Sequence, residues 1–128
     1  MSVSAKTIKP TEGELEILQV LWDKEKATVR EVFEELTQYK ESGYTTTLKL
    51  MQIMYDKGLV SRDSSNRTHV YKPKVTREKT QKQLLGKMVT TLFGGSSTQL
   101  VMQALGSQTP TEQELEEIQK ILDNLKKK

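Results

Sequence analysis

Tyr44-Thr-Thr-Thr-Leu-Lys-Leu-Met-Gln-Ile-Met-Tyr-Asp-Lys57, closed by Gly58 and followed by Leu59-Val-Ser-Arg-Asp63, Ser64-Ser-Asn-Arg67 and Thr68-His-Val-Tyr-Lys72, decides the fold. The spacing predicts a helix from Thr45 to Lys57, ended by Gly58 in the left-handed C′ position that glycine adopts without strain. At helical steps counted from Thr45, Leu50, Met54, Thr47 and Met51 gather at about 140° to 240°, while Lys49, Asp56 and Gln52 fall within about 40° of Thr45 itself. One side packs and the opposite side is polar. Thr46 and Ile53 flank the polar side on one edge and Leu48 on the other. The two runs after Gly58 have strand composition, and Asn66 between them tolerates a turn, so a β-hairpin is expected.

Working upstream, Thr11-x-x-Glu14 is a capping box, in which a hydroxyl and a carboxylate satisfy the open backbone donors of a helix start. Leu15, Ile17, Leu18, Leu21 and Trp22 continue it as an apolar stripe to about residue 24. Thr28-x-x-Glu31 repeats the signal, with Val29, Val32, Phe33 and Leu36 as the second stripe. Lys24-Glu-Lys-Ala27 leaves room for a tight connection or a strand stub. Helix, helix, helix, hairpin is the order of a winged helix-turn-helix, whose third helix enters the major groove while the hairpin lies along the backbone. Pro73 ends that unit, giving residues 1–73 as an expected DNA-binding domain.

Downstream, Thr76 to Phe93 reads as one long helix stopped by Gly94-Gly95. Ser96 or Ser97 caps a short helix ended by Gly106, and Thr111-x-x-Glu114 after Pro110 opens a last one. These three helices, residues 74–128, are marginal alone unless another copy covers their stripes. They are therefore expected to form a dimerisation domain through Leu84, Leu85, Met88, Leu92, Phe93, Leu100, Val101, Leu105, Leu115, Ile118, Ile121, Leu122 and Leu125. The fold class is mainly α with a small β-hairpin wing.

Composition narrows the chemistry. The chain has 128 residues, one domain's worth or two small lobes, with 34% apolar and 5% aromatic residues. The usual apolar share is about 45–50%, so the core is thin and an oligomer is expected. There is no cysteine and one histidine, His69, which removes disulfides, thiolate metal sites and cysteine nucleophiles. Glu34-Glu35 and Glu116-Glu117 read as solvated helix exteriors. No phosphate loop, nucleophile or metal spacing is present, so neither an enzyme nor a cofactor is expected. No apolar run approaches the length of a membrane span, and Met1-Ser-Val-Ser-Ala-Lys6 lacks the apolar stretch of a signal peptide. The chain reads as soluble and intracellular, without membrane insertion.

Net charge is +3, but its distribution says more. Residues 1–39 carry five basic and eight acidic groups, and residues 40–73 carry six basic and three acidic ones. A short polar helix face beside a hairpin bearing Arg62 and Arg67, in a locally basic stretch, suits phosphate clamping together with groove reading. Thr45 and Thr46 can meet base edges or thymine methyls, Gln52 can pair with adenine, and Lys49 can reach guanine or a phosphate. Tyr44 completes the DNA-facing set. Tyr44 and Tyr71 are expected at the core edge with their hydroxyls in water, and His69 on a strand at the surface. Two other readings stay open: a winged helix that docks a protein through Leu48 and Ile53, and a ligand-responsive DNA binder with a pocket between the lobes.

Glu14-Leu-Glu-Ile-Leu-Gln-Val-Leu-Trp22, Thr28-Val-Arg-Glu-Val32, Tyr44-Thr-Thr46, Lys57-Gly58 and Val70-Tyr71 resemble the BlaI/MecI penicillinase-repressor family in order and spacing. Thr76-Arg-Glu78, Leu92-Phe93 and Leu100-Val101 extend the match over nearly the whole chain. The resemblance implies a cytoplasmic bacterial repressor that binds a dyad-symmetric double-stranded operator as a homodimer and is inactivated through a regulatory protease. It also implies that Thr45 and Thr46 start the reading helix and that Arg67 is a basic wing position. Lys49 stands where the family commonly has Thr, Ile53 where it has Arg, and Asn66 where the wing usually has Gly. The last exchange is mild, since Asn also adopts positive φ. The cysteine cluster of the copper-responsive branch is missing, so thiolate copper sensing is rejected.

Overall fold

The structure is a computed structural model and describes residues 9–128; the Met1-to-Lys6 stretch lies outside them. Three helices start on reciprocal threonine–glutamate pairs. Thr11 Oγ1 accepts from the Glu14 N–H at 3.2 Å while Glu14 Oε1 accepts from the Thr11 N–H at 2.9 Å. Thr28 with Glu31 and Thr111 with Glu114 make the same exchange.

Helices α1 (Glu12–Lys24), α2 (Val29–Leu36) and α3 (Tyr44–Lys57) then pack their stripes together. Ile17, Leu18 and Leu21, Val32 and Leu36, and Met51 and Met54 are all buried. Each such side chain contributes roughly 1.5–3 kcal/mol by leaving water. Gly58 ends α3 at φ 85°, and the Leu59 N–H donates to Met54 O at 2.9 Å. Strands β1 (Val60–Asp63) and β2 (Val70–Pro73) form an antiparallel hairpin in which Arg62 faces Tyr71. Ala27 is the expected strand stub: its N–H donates to Tyr71 O at 3.0 Å and its carbonyl accepts from the Tyr71 N–H at 2.8 Å. The wing is thereby fastened to the α1–α2 link.

Tyr71 departs from its expected place. It is buried in the core at 1% exposure rather than holding a wet edge, because the Ala27 bridge draws that part of β2 inward. Asn66 turns the wing without positive φ; among the described residues Glu25 is the one non-glycine that has it.

Glu25 closes α1 with φ 74° and ψ −36°, and its N–H donates to Leu21 O at 2.7 Å. A residue with a Cβ held in such a region costs of order 1–3 kcal/mol. Glu25→Gly is therefore expected to raise the melting midpoint, by about 4–8 °C for each kcal/mol recovered in a unit of under about 100 residues. Calorimetry reads the shift, and an unchanged or lower midpoint contradicts the strain.

The chain divides into two compact units, the first ending at Gln81 and the second being Lys82–Lys128. The division falls within α4 (Arg77–Leu92), beyond Pro73, because the residues after the hairpin are tied back to α1. The Trp22 indole N–H donates to Val75 O at 2.9 Å, and Arg77 meets the Asp23 carboxylate at 2.7 Å. In the second unit Gly94 and Gly95, at φ 59° and 91°, end α4. The Ser96 hydroxyl caps α5 (Ser97–Ser107) by accepting from the Gln99 N–H at 3.1 Å, and α6 (Glu112–Lys126) follows. Gly106 lies inside α5 rather than ending it. No side chain of Lys82–Lys128 is buried in the single chain, and Leu92, Met102, Ile121 and Leu125 are each at least 59% exposed. No helix among the described residues is long and apolar enough to cross a membrane.

Candidate nucleic-acid interface

Three anchors hold the polar face of α3 outward. Thr47, Met51 and Met54 are buried on its inner side. At its start the Thr47 hydroxyl donates to Gly43 O at 3.1 Å. At its end Lys57 Nζ donates to Glu14 Oε1 at 2.8 Å, on a carboxylate only 2% exposed. The acid that caps α1 thus also fixes the exit of α3.

Thr45, Thr46, Lys49 and Gln52 are all exposed, and among the described residues none is committed to an ion pair. Leu48 packs partly on the core and Ile53 stays 38% exposed at the edge of the polar face. Ion pairing trims the basic stretch: Lys57 is engaged by Glu14, and Lys40 by Glu16 at 2.6 Å.

Tyr44 is 38% exposed at the helix start, its ring edge-on to Phe33 with centroids 5.6 Å apart. The Arg30 guanidinium stands 4.9 Å from the Tyr44 centroid. On the wing the two arginines are placed differently. Arg67 is exposed near the tip, whereas Arg62 is half-buried, its guanidinium 4.1 Å from the Tyr55 centroid and its Nε without a hydrogen-bond partner. The Ser65 N–H, donating to Asp63 Oδ1 at 3.0 Å, holds the Asp63 carboxyl below the ordinary carboxylate range, and Lys72 and Lys26 add to this. That bond pins the wing turn.

A groove of about 390 Å³ runs between the first turn of α2, the Tyr44 edge of α3 and the residues leading into β2. It gathers Tyr44, Gln52 and Arg67 with two residues outside the expected set, Arg30 and His69. His69 lies just ahead of β2 and is half-buried, not on the strand. Arg30 follows the Thr28 cap by two positions; a helix-turn-helix sets the start of its first helix beside the reading helix, and that order was the available signal. Nothing in residue spacing singles out His69. Thr45, Thr46 and Lys49 stand on the neighbouring face of α3.

A helix-turn-helix pair, a third helix with an exposed polar face and a hairpin on the same core define a winged helix-turn-helix protein. The family model for the penicillinase repressor matches residues 10–124, so the chain belongs to the penicillinase-repressor family, transcriptional repressors rather than enzymes. The penicillinase repressor of Staphylococcus aureus is 23% identical over 123 residues, covering 96% of this chain and 98% of that protein. The methicillin resistance regulatory protein MecI of S. aureus strain N315 is 23% identical over 118 residues, covering 92% of this chain and 96% of the relative. The solution structure of the DNA-binding domain of the repressor BlaI aligns with a TM-score of 0.48 at 23% identity, over 55% of this chain and 90% of that one.

Proposed function

We propose that the protein is a dimeric, sequence-specific repressor in the cytoplasm that occludes a promoter by binding a dyad-symmetric operator. The observation that carries this is the polar face of α3, where Thr45, Thr46, Lys49 and Gln52 stand exposed beside a groove lined by Arg30 and Arg67. Tyr44, Arg62 and Arg67 hold phosphates, with Arg62 pre-oriented on the Tyr55 ring, while Thr45, Thr46, Lys49 and Gln52 meet base edges.

Residues 1–73 act as the DNA-binding domain and residues 74–128 as the dimerisation domain. The apolar stripes of the second unit, none of whose side chains is buried in the single chain, support that role: Leu84, Leu85, Met88, Leu92 and Phe93 on or just after α4, Leu100, Val101 and Leu105 on α5, and Leu115, Ile118, Ile121, Leu122 and Leu125 on α6. Two copies covering these stripes set the reading helices about one turn of DNA, roughly 34 Å, apart. Relief of repression by a regulatory protease follows from the family resemblance.

Titrating a duplex selected from a random pool, at several salt concentrations, tests the assignment. Arg67→Ala is expected to weaken binding to all sequences alike and to reduce the slope of log affinity against log salt by about one. Thr46→Ala is expected to change which base is preferred. An unaltered affinity and salt slope in Arg67→Ala contradicts the wing assignment.

A further inference from the structure

The groove beside α3 combines fixed and switchable charge. Arg30 enters it from α2 and Arg67 from the wing; Tyr44 of α3 and Tyr71 of β2 are its other titratable groups besides His69. Among the described residues no carboxylate lines it. A protonated His69 there meets like charges and no counter-ion, and a phosphate diester would supply one. We propose that this groove seats one backbone phosphate of the bound duplex between Arg30 and Arg67, and that His69 takes up a proton as the phosphate enters, so that DNA affinity rises as pH falls. The inference rests on the DNA-binding reading above.

The sign follows from linkage. A phosphate partner favours the charged imidazole, so proton uptake and DNA binding favour each other. The added affinity is present at acid pH and is lost as pH rises. Imidazole is the side chain that ordinarily changes charge between about pH 5 and 8. The sequence has one histidine and no cysteine, so no second side chain of that kind competes for the effect.

Fluorescence anisotropy of the full chain on a duplex selected from a random pool, at about pH 6 and pH 8 over a range of salt, tests this. The wild-type protein is expected to bind about three- to tenfold tighter at the lower pH. Its salt slope should be steeper there by about one. His69→Gln should lose the pH dependence while still binding at pH 8, and His69→Arg should bind tightly at both. A wild-type affinity that ignores pH, or a His69→Gln profile matching that of wild type, overturns the groove assignment and leaves DNA binding standing. No duplex binding by the wild type at either pH overturns the DNA reading and this inference together. If His69→Gln fails to fold, the wild-type salt slopes and the flat profile required of His69→Arg decide the question.

Discussion

With Leu122 and Leu125 both replaced by lysine, the protein is expected to sediment as a monomer and to bind a two-half-site duplex about a hundredfold more weakly, with the first unit still folded. Both leucines stand on α6 and are 45% and 59% exposed in the single chain. Covering the exposed half of each against a second copy is worth roughly 0.7–1.8 kcal/mol, and two-fold symmetry counts every loss twice. The total of roughly 3–6 kcal/mol, with two charges placed in the seam by each copy, is a large part of the roughly 8 kcal/mol of a micromolar dimer. Once the pairing fails, the second reading helix no longer arrives at the enhanced local concentration supplied by the first, a benefit of about 10²- to 10⁴-fold. Sedimentation, circular dichroism and anisotropy read the three parts separately. A variant that remains dimeric, or a monomer that binds as tightly as wild type, contradicts the role given to the second unit.

The second large effect belongs to the first unit. Tyr71→Ala is expected to cost about 3–5 kcal/mol, the penalty of emptying a packed aromatic site, from a total stability of about 5–15 kcal/mol. Tyr71 is among the largest fully buried side chains, and its backbone makes both hydrogen bonds to Ala27. Removing the ring loosens the β2 edge that positions Arg67 and His69, so duplex affinity should fall with the melting temperature. Tyr71→Phe keeps the volume and should cost less than about 1.5 kcal/mol. A melting midpoint for Tyr71→Ala within a degree or two of wild type contradicts the packing described.

What was legible in the sequence was local. A hydroxyl and a carboxylate three residues apart carry their own geometry, so the starts at Thr11, Thr28 and Thr111 could be read without knowing what packs on them. Gly58 could be read likewise, because only its own φ of 85° matters there. Features made by distant partners were hidden. The Trp22 bond to Val75 spans 53 residues and extends the first unit beyond Pro73. Tyr71 looked like an edge residue because its alternation does not reveal that Ala27 bridges to it from the side of β2 that β1 leaves open. Gly106 misled in the opposite direction: an exposed helix tolerates glycine at a cost of about 1 kcal/mol relative to Ala, and α5 runs through it to Ser107.

The candidate site divides the same way. The exposed face of α3 followed from periodicity, since Thr47, Met51 and Met54 take the inner side and leave Thr45, Lys49 and Gln52 outside. Arg30 and His69 join it only when α2 and the wing come together, a juxtaposition that no spacing rule within one element contains. The charge count overstated the basic stretch, because Glu14 and Glu16 reach from α1 to engage Lys57 and Lys40.

A hydroxyl-radical footprint of the wild-type protein on a duplex recovered from a random pool shows whether two copies read the two halves of one site. Two protected patches of equal strength are expected, related by a dyad and centred about one helical turn, roughly 34 Å, apart. A single asymmetric patch, or uniform protection with no preferred sequence, would contradict that arrangement.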